Sequence, residues 1–197
     1  MRVSTFTRLF IVVLLISFVG VIGFADTDSR LVVSEVAWSG TPASWADEWI
    51  ELRNVSNKQI DLAGWTLAWD GVTIHLGREK GNTLTVNSSK IEPGTVLLLE
   101  RSDDDPVASV SADTIYKGSL ANSGEKIVLK DPEGNEVHTV DGSEGWMAGT
   151  SSSGDPGYAS MEMVGGSWKT HKDKGNQKDV ADNLIYGSPG RLPEASE

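Results

Sequence analysis

The amino-acid sequence predicts an all-β protein built as a β-sandwich, and three observations lead to this fold class. After residue 30, no window of about 15 residues shows the periodicity of an amphipathic helix. Short runs rich in β-branched and aromatic residues alternate apolar and polar positions instead. Turn sequences separate these runs at short intervals, which is typical of two packed sheets in one domain.

The strand pattern recurs along most of the chain. The predicted strands are residues 30–38, 48–53, 65–69, 72–76, 95–100, 114–116, 126–130, 136–140 and 159–164. Turn residues occupy the gaps at positions 54–57, 93–94, 122–124 and 131–135. The last of these turns lies between two strand-like runs and therefore predicts a β-hairpin.

Residues 1–25 have the layout of a secretory signal peptide. Arg2 and Arg8 give a basic start, residues 9–25 are almost wholly apolar, and Gly23 and Ala25 are small residues at the positions that a signal peptidase reads. We therefore expect an exported protein whose mature chain begins near Asp26. An uncleaved N-terminal anchor is the alternative, because the apolar run lies at the short limit for a membrane span.

Composition excludes several classes of protein. The chain has 197 residues and a formal net charge of −11, and an acidic surface argues against nucleic-acid binding. It contains no cysteine, which excludes disulfides, thiolate metal sites and cysteine nucleophiles. The sequence contains neither a Walker motif nor a dinucleotide-binding glycine pattern, and it predicts no cofactor.

Several segments occur in an order that resembles the lamin-tail domain, most closely its bacterial secreted form. The segments are VSEVAW, DEWIELRNVSN, IDLAGWTL, IEPGTVLLLER, LANSGEKIVLKDPEGNEVHTVD, SMEM and GSPG. The resemblance covers about residues 31–141 and continues more weakly to residue 190. It implies an immunoglobulin-like β-sandwich without enzymatic activity of its own.

The expected organisation has three parts. Residues 1–25 form the signal peptide, and residues 30–141 form the lamin-tail-like β-sandwich. Residues 142–197 comprise a Gly/Ser-rich loop and a C-terminal extension that packs on the domain, in which residues 165–183 are expected to be irregular. Within the sandwich, Ile50 and Leu52 should point inward against Trp65 and Leu67.

Four carboxylates near the first two strands are candidates for a calcium site, because calcium prefers oxygen ligands. They are Glu35, Asp47, Glu48 and Glu51. Glu35 and Glu51 can share a face after antiparallel pairing, whereas alternation keeps Glu48 off the face of Glu51. The sequence therefore favours solvated strand edges and loop ends for these side chains, and it predicts no metal site.

Three tryptophans are the candidate binding residues: Trp38, Trp45 and Trp49. If Ile50 and Leu52 face inward, then Trp49 faces outward, and exposed aromatic side chains suit sugar stacking or a protein interface. In the alternative interpretation, the connecting loop folds back and the tryptophans cover one end of the sandwich. The sequence leaves both interpretations open.

These observations favour a secreted, non-catalytic binding or structural module of the cell envelope or extracellular space. Its partner would be an envelope protein or a polysaccharide, and it would meet the membrane only through an uncleaved N-terminal segment. One alternative is an adhesive or structural surface protein held by that anchor. Another is a hydrolase with an unrecognised carboxylate site.

Overall fold

The structure, a computed structural model, describes residues 30–192 and contains only strands, turns and loops in that range. The predicted signal peptide lies outside the described residues. No helix between residues 30 and 192 is long and apolar enough to cross a bilayer. The strands are β1 (Leu31–Ala37), β2 (Trp49–Asn54), β3 (Ile60–Asp61), β4 (Thr66–Trp69), β5 (Val72–His75), β6 (Thr83–Val86), β7 (Lys90–Ile91), β8 (Val96–Arg101), β9 (Thr114–Tyr116), β10 (Lys126–Lys130), β11 (Glu136–Asp141), β12 (Met161–Val164) and β13 (Ser167–Thr170).

Two sheets face each other across the main hydrophobic core. The larger sheet has the order β13-β12-β1-β2-β8-β9-β6, and the smaller has the order β11-β10-β4-β5. Ile50 and Leu52 from the larger sheet and Trp65 and Leu67 on the opposite side belong to one buried cluster, as the alternation predicts. The all-β sandwich expected from the sequence is confirmed.

Two of the turns are stabilised by side chains that accept hydrogen bonds from residues of the same turn. Asn54 closes the turn after β2, because its Oδ1 accepts hydrogen bonds from the Ser56 amide at 2.9 Å and the Ser56 hydroxyl at 2.7 Å. β10 and β11 pair antiparallel as the predicted hairpin, and the Asp131 carboxylate accepts a bond from the Asn135 amide at 2.8 Å. Both turns are therefore stabilised locally.

A β-bulge in β1 lets this strand place apolar side chains in the main core and an acidic side chain on the opposite face of the larger sheet. The pairing with β2 shifts register between Val33 and Glu35, so that Val33 and Val36 both reach the main core. Glu35 consequently points to the opposite, outer face of the sheet, where its register partner is Glu51. Strict alternation along the strand would have placed Glu35 in the core.

Residues after 143 complete the larger sheet. β12 pairs with β1, and β13 pairs with β12 through residue pairs such as Glu162 with Lys169. The expectation that residues 165–183 are irregular is therefore wrong for β13. With four mostly polar residues, β13 is too short to show a strand pattern in the sequence. Backbone pairing with β12 stabilises it.

A second, smaller core lies on the outer face of the larger sheet. Trp49, Ala37 and Leu98 project from this face and are covered by Val107 and Ile185. Ile185 belongs to the C-terminal extension and Val107 to the loop after β8. The larger sheet is thus buried on both faces over this area.

Candidate functional site

Trp45 is the most exposed large apolar side chain among residues 30–192, with 71% of its surface accessible. It lies in the loop between β1 and β2. The Arg101 guanidinium carbon lies 5.2 Å from the centre of its indole ring, within the range of a cation–π contact. The indole is therefore both accessible and held in place.

The loop that carries Trp45 has a fixed backbone. Gly40 adopts a positive φ of 77°, and a Cβ at this position would lie 2.4 Å from the Ser44 carbonyl oxygen. The Thr41 amide donates to that carbonyl at 2.9 Å, and the Thr41 hydroxyl donates to Asp47 at 2.7 Å. The Ala43 amide donates to Asp179 of the C-terminal extension at 3.0 Å.

Arg101 is held by a buried carboxylate. Its Nη1 lies 3.1 Å from Glu48 Oε1, and Glu48 Oε2 accepts a hydrogen bond from the Leu120 amide at 2.8 Å. Burial raises the pKa of Glu48 to about 7, against the opposing effects of the Leu120 amide and Arg101. A continuous set of contacts thus joins the domain interior to Trp45 through Glu48 and Arg101.

Acidic groups surround this end of the molecule. Positions 103–105 are three exposed aspartates that directly follow β8. Beneath them, Glu100 is fully buried, and its oxygens lack hydrogen bonds of ordinary geometry, although the Val107 amide lies close enough to lower its pKa. Burial, aided by Asp104, nevertheless raises the pKa of Glu100 to about 9, so that it is a neutral acid at pH 7.

The other two candidate tryptophans do not form a surface with Trp45. Trp38 is 8% exposed, stacks on Trp146 at 6.1 Å and donates its Nε1–H to the Ala148 carbonyl at 3.0 Å. Trp49 does leave the main core, but it is fully buried in the second core. The interpretation in which Trp49 is exposed is wrong, because residues far along the chain cover the outer face.

The expected solvation of Glu35, Asp47, Glu48 and Glu51 is also wrong, because all four are buried. Glu35 and Glu51 lie side by side in register, as expected, whereas Glu48 contacts Arg101 and Asp47 contacts Thr41. Residues 30–192 contain no group of three His, Asp or Glu side chains arranged to hold a metal ion. The four carboxylates therefore do not form one site.

Three glutamates form a line across the outer face of the larger sheet. Glu162, Glu35 and Glu51 occupy paired positions on β12, β1 and β2, and we name them the glutamate row. The Ser188 amide donates to Glu35 at 3.1 Å, the Ser188 hydroxyl donates to Glu162, and the Gly190 amide donates to Glu51. The GSPG segment thus supplies the polar partners of buried carboxylates.

The charge state of the glutamate row follows from this burial. Burial, together with the negative charge of Glu162, raises the pKa of Glu35 to about 7. Burial and the neighbouring Glu35 raise the pKa of Glu51 well above its usual range. Carboxylates in such proximity retain protons, which lowers their mutual repulsion.

Sequence reasoning missed Arg101, Glu162 and Ser188. The signals were present, since Glu48 interrupts the alternation at the start of β2 and GSPG is a segment of the resemblance. Neither signal identifies the residue that each side chain contacts, because the fold brings together segments that are far apart in the sequence.

Comparison with known proteins agrees with this architecture. The family model for the Lamin Tail Domain matches residues 25–143, which is more than half of the chain. A search of curated protein sequences finds no match. The described strands form the immunoglobulin-like sandwich expected for this domain, and β12 and β13 lie beyond the matched residues. This chain belongs to the lamin tail domain family.

Proposed function

We propose that this protein is an exported, non-catalytic module that binds a basic protein of the cell envelope through Trp45. Lamin tail domains are generally non-catalytic binding or structural modules. The proposal rests on one observation: the Trp45 indole is exposed, while Arg101 and the surrounding loop hold it in place. Because Arg101, Gly40 and the hydrogen bonds of the loop hold Trp45 in the free protein, binding requires little further ordering.

The surroundings of Trp45 indicate the chemistry of the partner. Tryptophan and arginine dominate the energetics of many protein interfaces. Val180 follows Asp179, which bonds to the Trp45 loop, and is itself 55% exposed. The aspartates at positions 103–105 and the net charge of −11 favour a partner surface rich in lysine and arginine. We name Trp45, Arg101, Val180 and residues 103–105 the Trp45 surface.

Affinity capture with matched variants tests this proposal. The full chain serves as bait for solubilised envelope proteins, beside Trp45→Ala and the control Leu84→Ala, which removes another exposed side chain (42%). We expect a basic protein to bind the unaltered chain and Leu84→Ala alike. Trp45→Ala should weaken its binding by at least about 30-fold, as for an interface hot spot.

Two further measurements, salt dependence and competition by soluble polysaccharide, distinguish a basic protein partner from a polysaccharide. Binding to a basic protein should weaken as salt rises, because exposed charges are screened. Stacking of a polysaccharide on Trp45 should be nearly insensitive to salt and should compete with soluble envelope polysaccharide. Retention of the same proteins by Trp45→Ala, or a salt-insensitive polysaccharide ligand, would contradict the proposal.

Export is supported by the apolar N-terminal segment and is tested separately. Intact mass analysis of the protein recovered outside the cytoplasm should show a chain that begins at or near Asp26. A full-length chain in the membrane fraction would indicate the anchored alternative, and a full-length chain in the cytoplasm would refute export.

A further inference from the structure

A cleft beside the glutamate row has more cationic than anionic side chains in its lining, although the protein as a whole is acidic. It lies between β13, residues 171–176 and the end of the described chain, and its volume is about 830 Å³. Ligand sites of ordinary proteins have about this size. Its charged lining residues include four cationic side chains, which are Lys169, Lys172, Lys174 and Arg191.

The charge of the cleft opposes that of the chain. Against its four cations stand two carboxylates, those of Glu162 and Asp173. The four cationic side chains are exposed, so that they can reach a ligand in the cleft. A local excess of positive charge in a chain of net charge −11 concentrates anions at this place.

His171 adds a directed donor to the same cleft. Its Nδ1–H donates to Glu162 Oε2 at 2.8 Å, and Nε2 has no hydrogen-bond partner among the described residues. Burial alone would lower the pKa of His171, but the hydrogen bond and charge of Glu162 outweigh it and raise the pKa. The raised pKa widens the pH range in which the imidazolium form, which has an Nε2–H, is present.

We propose that this cleft binds a phosphate-ester ligand, with lysines 169 and 172 and Arg191 neutralising the phosphate and His171 Nε2–H donating to one of its oxygens. Arginine and lysine are the usual partners of phosphate oxygens. The cleft exceeds the size of inorganic phosphate and has room for the esterified group. The site lies apart from the Trp45 surface and goes beyond the binding function proposed for it.

Affinity in this cleft should rise on acidification. The groups that face or support His171 are Glu162 on β12, Lys169 on β13, Lys172, Asp173 and Lys174 in the following loop, Arg191, and Glu35 on β1. Burial raises the pKa of Glu35 to about 7, and Glu162 raises that of His171, so protonation of either group as pH falls makes the cleft more positive.

Calorimetric titration of the full chain with glycerophosphoglycerol, glycerol 3-phosphate and inorganic phosphate tests the proposal. The first compound is a phosphodiester, so its own charge stays constant between about pH 6 and pH 8 and any pH dependence belongs to the protein. Both esters should bind more tightly than inorganic phosphate. The tighter ester then indicates the source of the ligand, a free phosphate monoester or a diester headgroup or polymer.

Matched variants locate the site. Lys169→Gln with Lys172→Gln should weaken binding of the diester about tenfold, at about threefold per exposed charge. Lys80→Gln with Lys90→Gln changes the net charge equally outside the cleft and should leave affinity within about twofold. His171→Gln retains a donor for Glu162 but should lose the part of the pH dependence that belongs to His171, and its thermal midpoint checks folding.

Three results would overturn the proposal. They are absence of ester binding at about pH 6, ester binding no tighter than that of inorganic phosphate, and equal losses in the two lysine pairs. A pH dependence that persists unchanged in folded His171→Gln would refute the assigned role of His171.

Discussion

At the scale of single residues, burial decides what each tryptophan and glutamate does. Trp45 and Trp49 lie four positions apart, yet one is 71% exposed and the other fully buried. The difference arises because Ile185 and Val107 cover Trp49, whereas Trp45 lies in the loop between β1 and β2 and belongs to neither core.

Trp49→Ala should destabilise the protein as strongly as a substitution in the main core. Removing a fully buried tryptophan typically lowers the free energy of unfolding by about 3–5 kcal/mol. Trp45→Ala is the control and should lower it by less than about 1 kcal/mol, the value of an exposed cation–π contact. Denaturant midpoints at constant slope measure both, and equal losses would show that Trp49 is not sealed by the extension.

Glu100→Gln should make the protein less sensitive to alkaline pH. Glu100 stays protonated in the folded state up to about pH 9, whereas in the unfolded chain it ionises near pH 4.5. Ionisation therefore favours unfolding as pH rises between these values, and glutamine removes that effect while keeping a neutral side chain. The thermal midpoint of the variant should fall less between about pH 5 and pH 9 than that of the unaltered protein. Parallel curves would contradict the buried, neutral state of Glu100.

At the scale of elements, alternation and turn chemistry predicted most of the strands but not what covers them. β10 lies at the expected residues, and the ends of β2 and β8 differ from expectation by one position. β6 and β13 were missed because each is short; β6 is stabilised by pairing with the distant strand β9, and the polar β13 by pairing with its neighbour β12. Of the Trp45 surface, the sequence indicated Trp45 as a binding candidate but not Arg101 or Val180, because contacts between distant segments bring them to the Trp45 loop.

The GSPG segment fits closely against the outer face of the larger sheet. A Cβ at Gly187 would lie 2.6 Å from Glu35 Oε1 and 2.9 Å from Trp49 Cζ2. Gly187→Ala should therefore displace the extension and make it a preferred site of limited proteolysis. Ala181→Ser, an exposed change in the same extension, should leave the cleavage pattern unaltered. Equal resistance of both variants would mean that the extension tolerates the added methyl group.

At the scale of the whole molecule, raised pKa values set the direction of the pH dependence. Burial raises the pKa of Glu35 and Glu48 to about 7 and that of Glu100 to about 9, while Glu51 and His171 are also raised. The folded state thus holds more protons than the unfolded state between about pH 5 and pH 9. Stability gained from these groups is fully present below their unfolded values and is lost as pH rises.

Thermal unfolding of the full chain should therefore show a midpoint that falls steadily from about pH 5 to about pH 9. Calorimetry or circular dichroism in buffers of equal ionic strength measures this trend. Many proteins with surface ion pairs show the opposite trend on the acid side, because their carboxylates have lowered pKa values. A midpoint that rises with pH would show that Glu35, Glu51 and Glu100 are ionised in the folded protein.

The pairing of β1 with β12 also constrains when the chain can fold. Val36, near the start of the domain, pairs with Met161, and Glu35 bonds to Ser188 still further along. A sheet whose early strand needs partners from the last third of the chain has a high contact order, and such proteins fold in about milliseconds to seconds. We expect the sandwich to close only after nearly the whole polypeptide is available. If the protein is exported as proposed, a chain that folds this late would still be unfolded during passage, which is the state that a narrow translocation channel accepts.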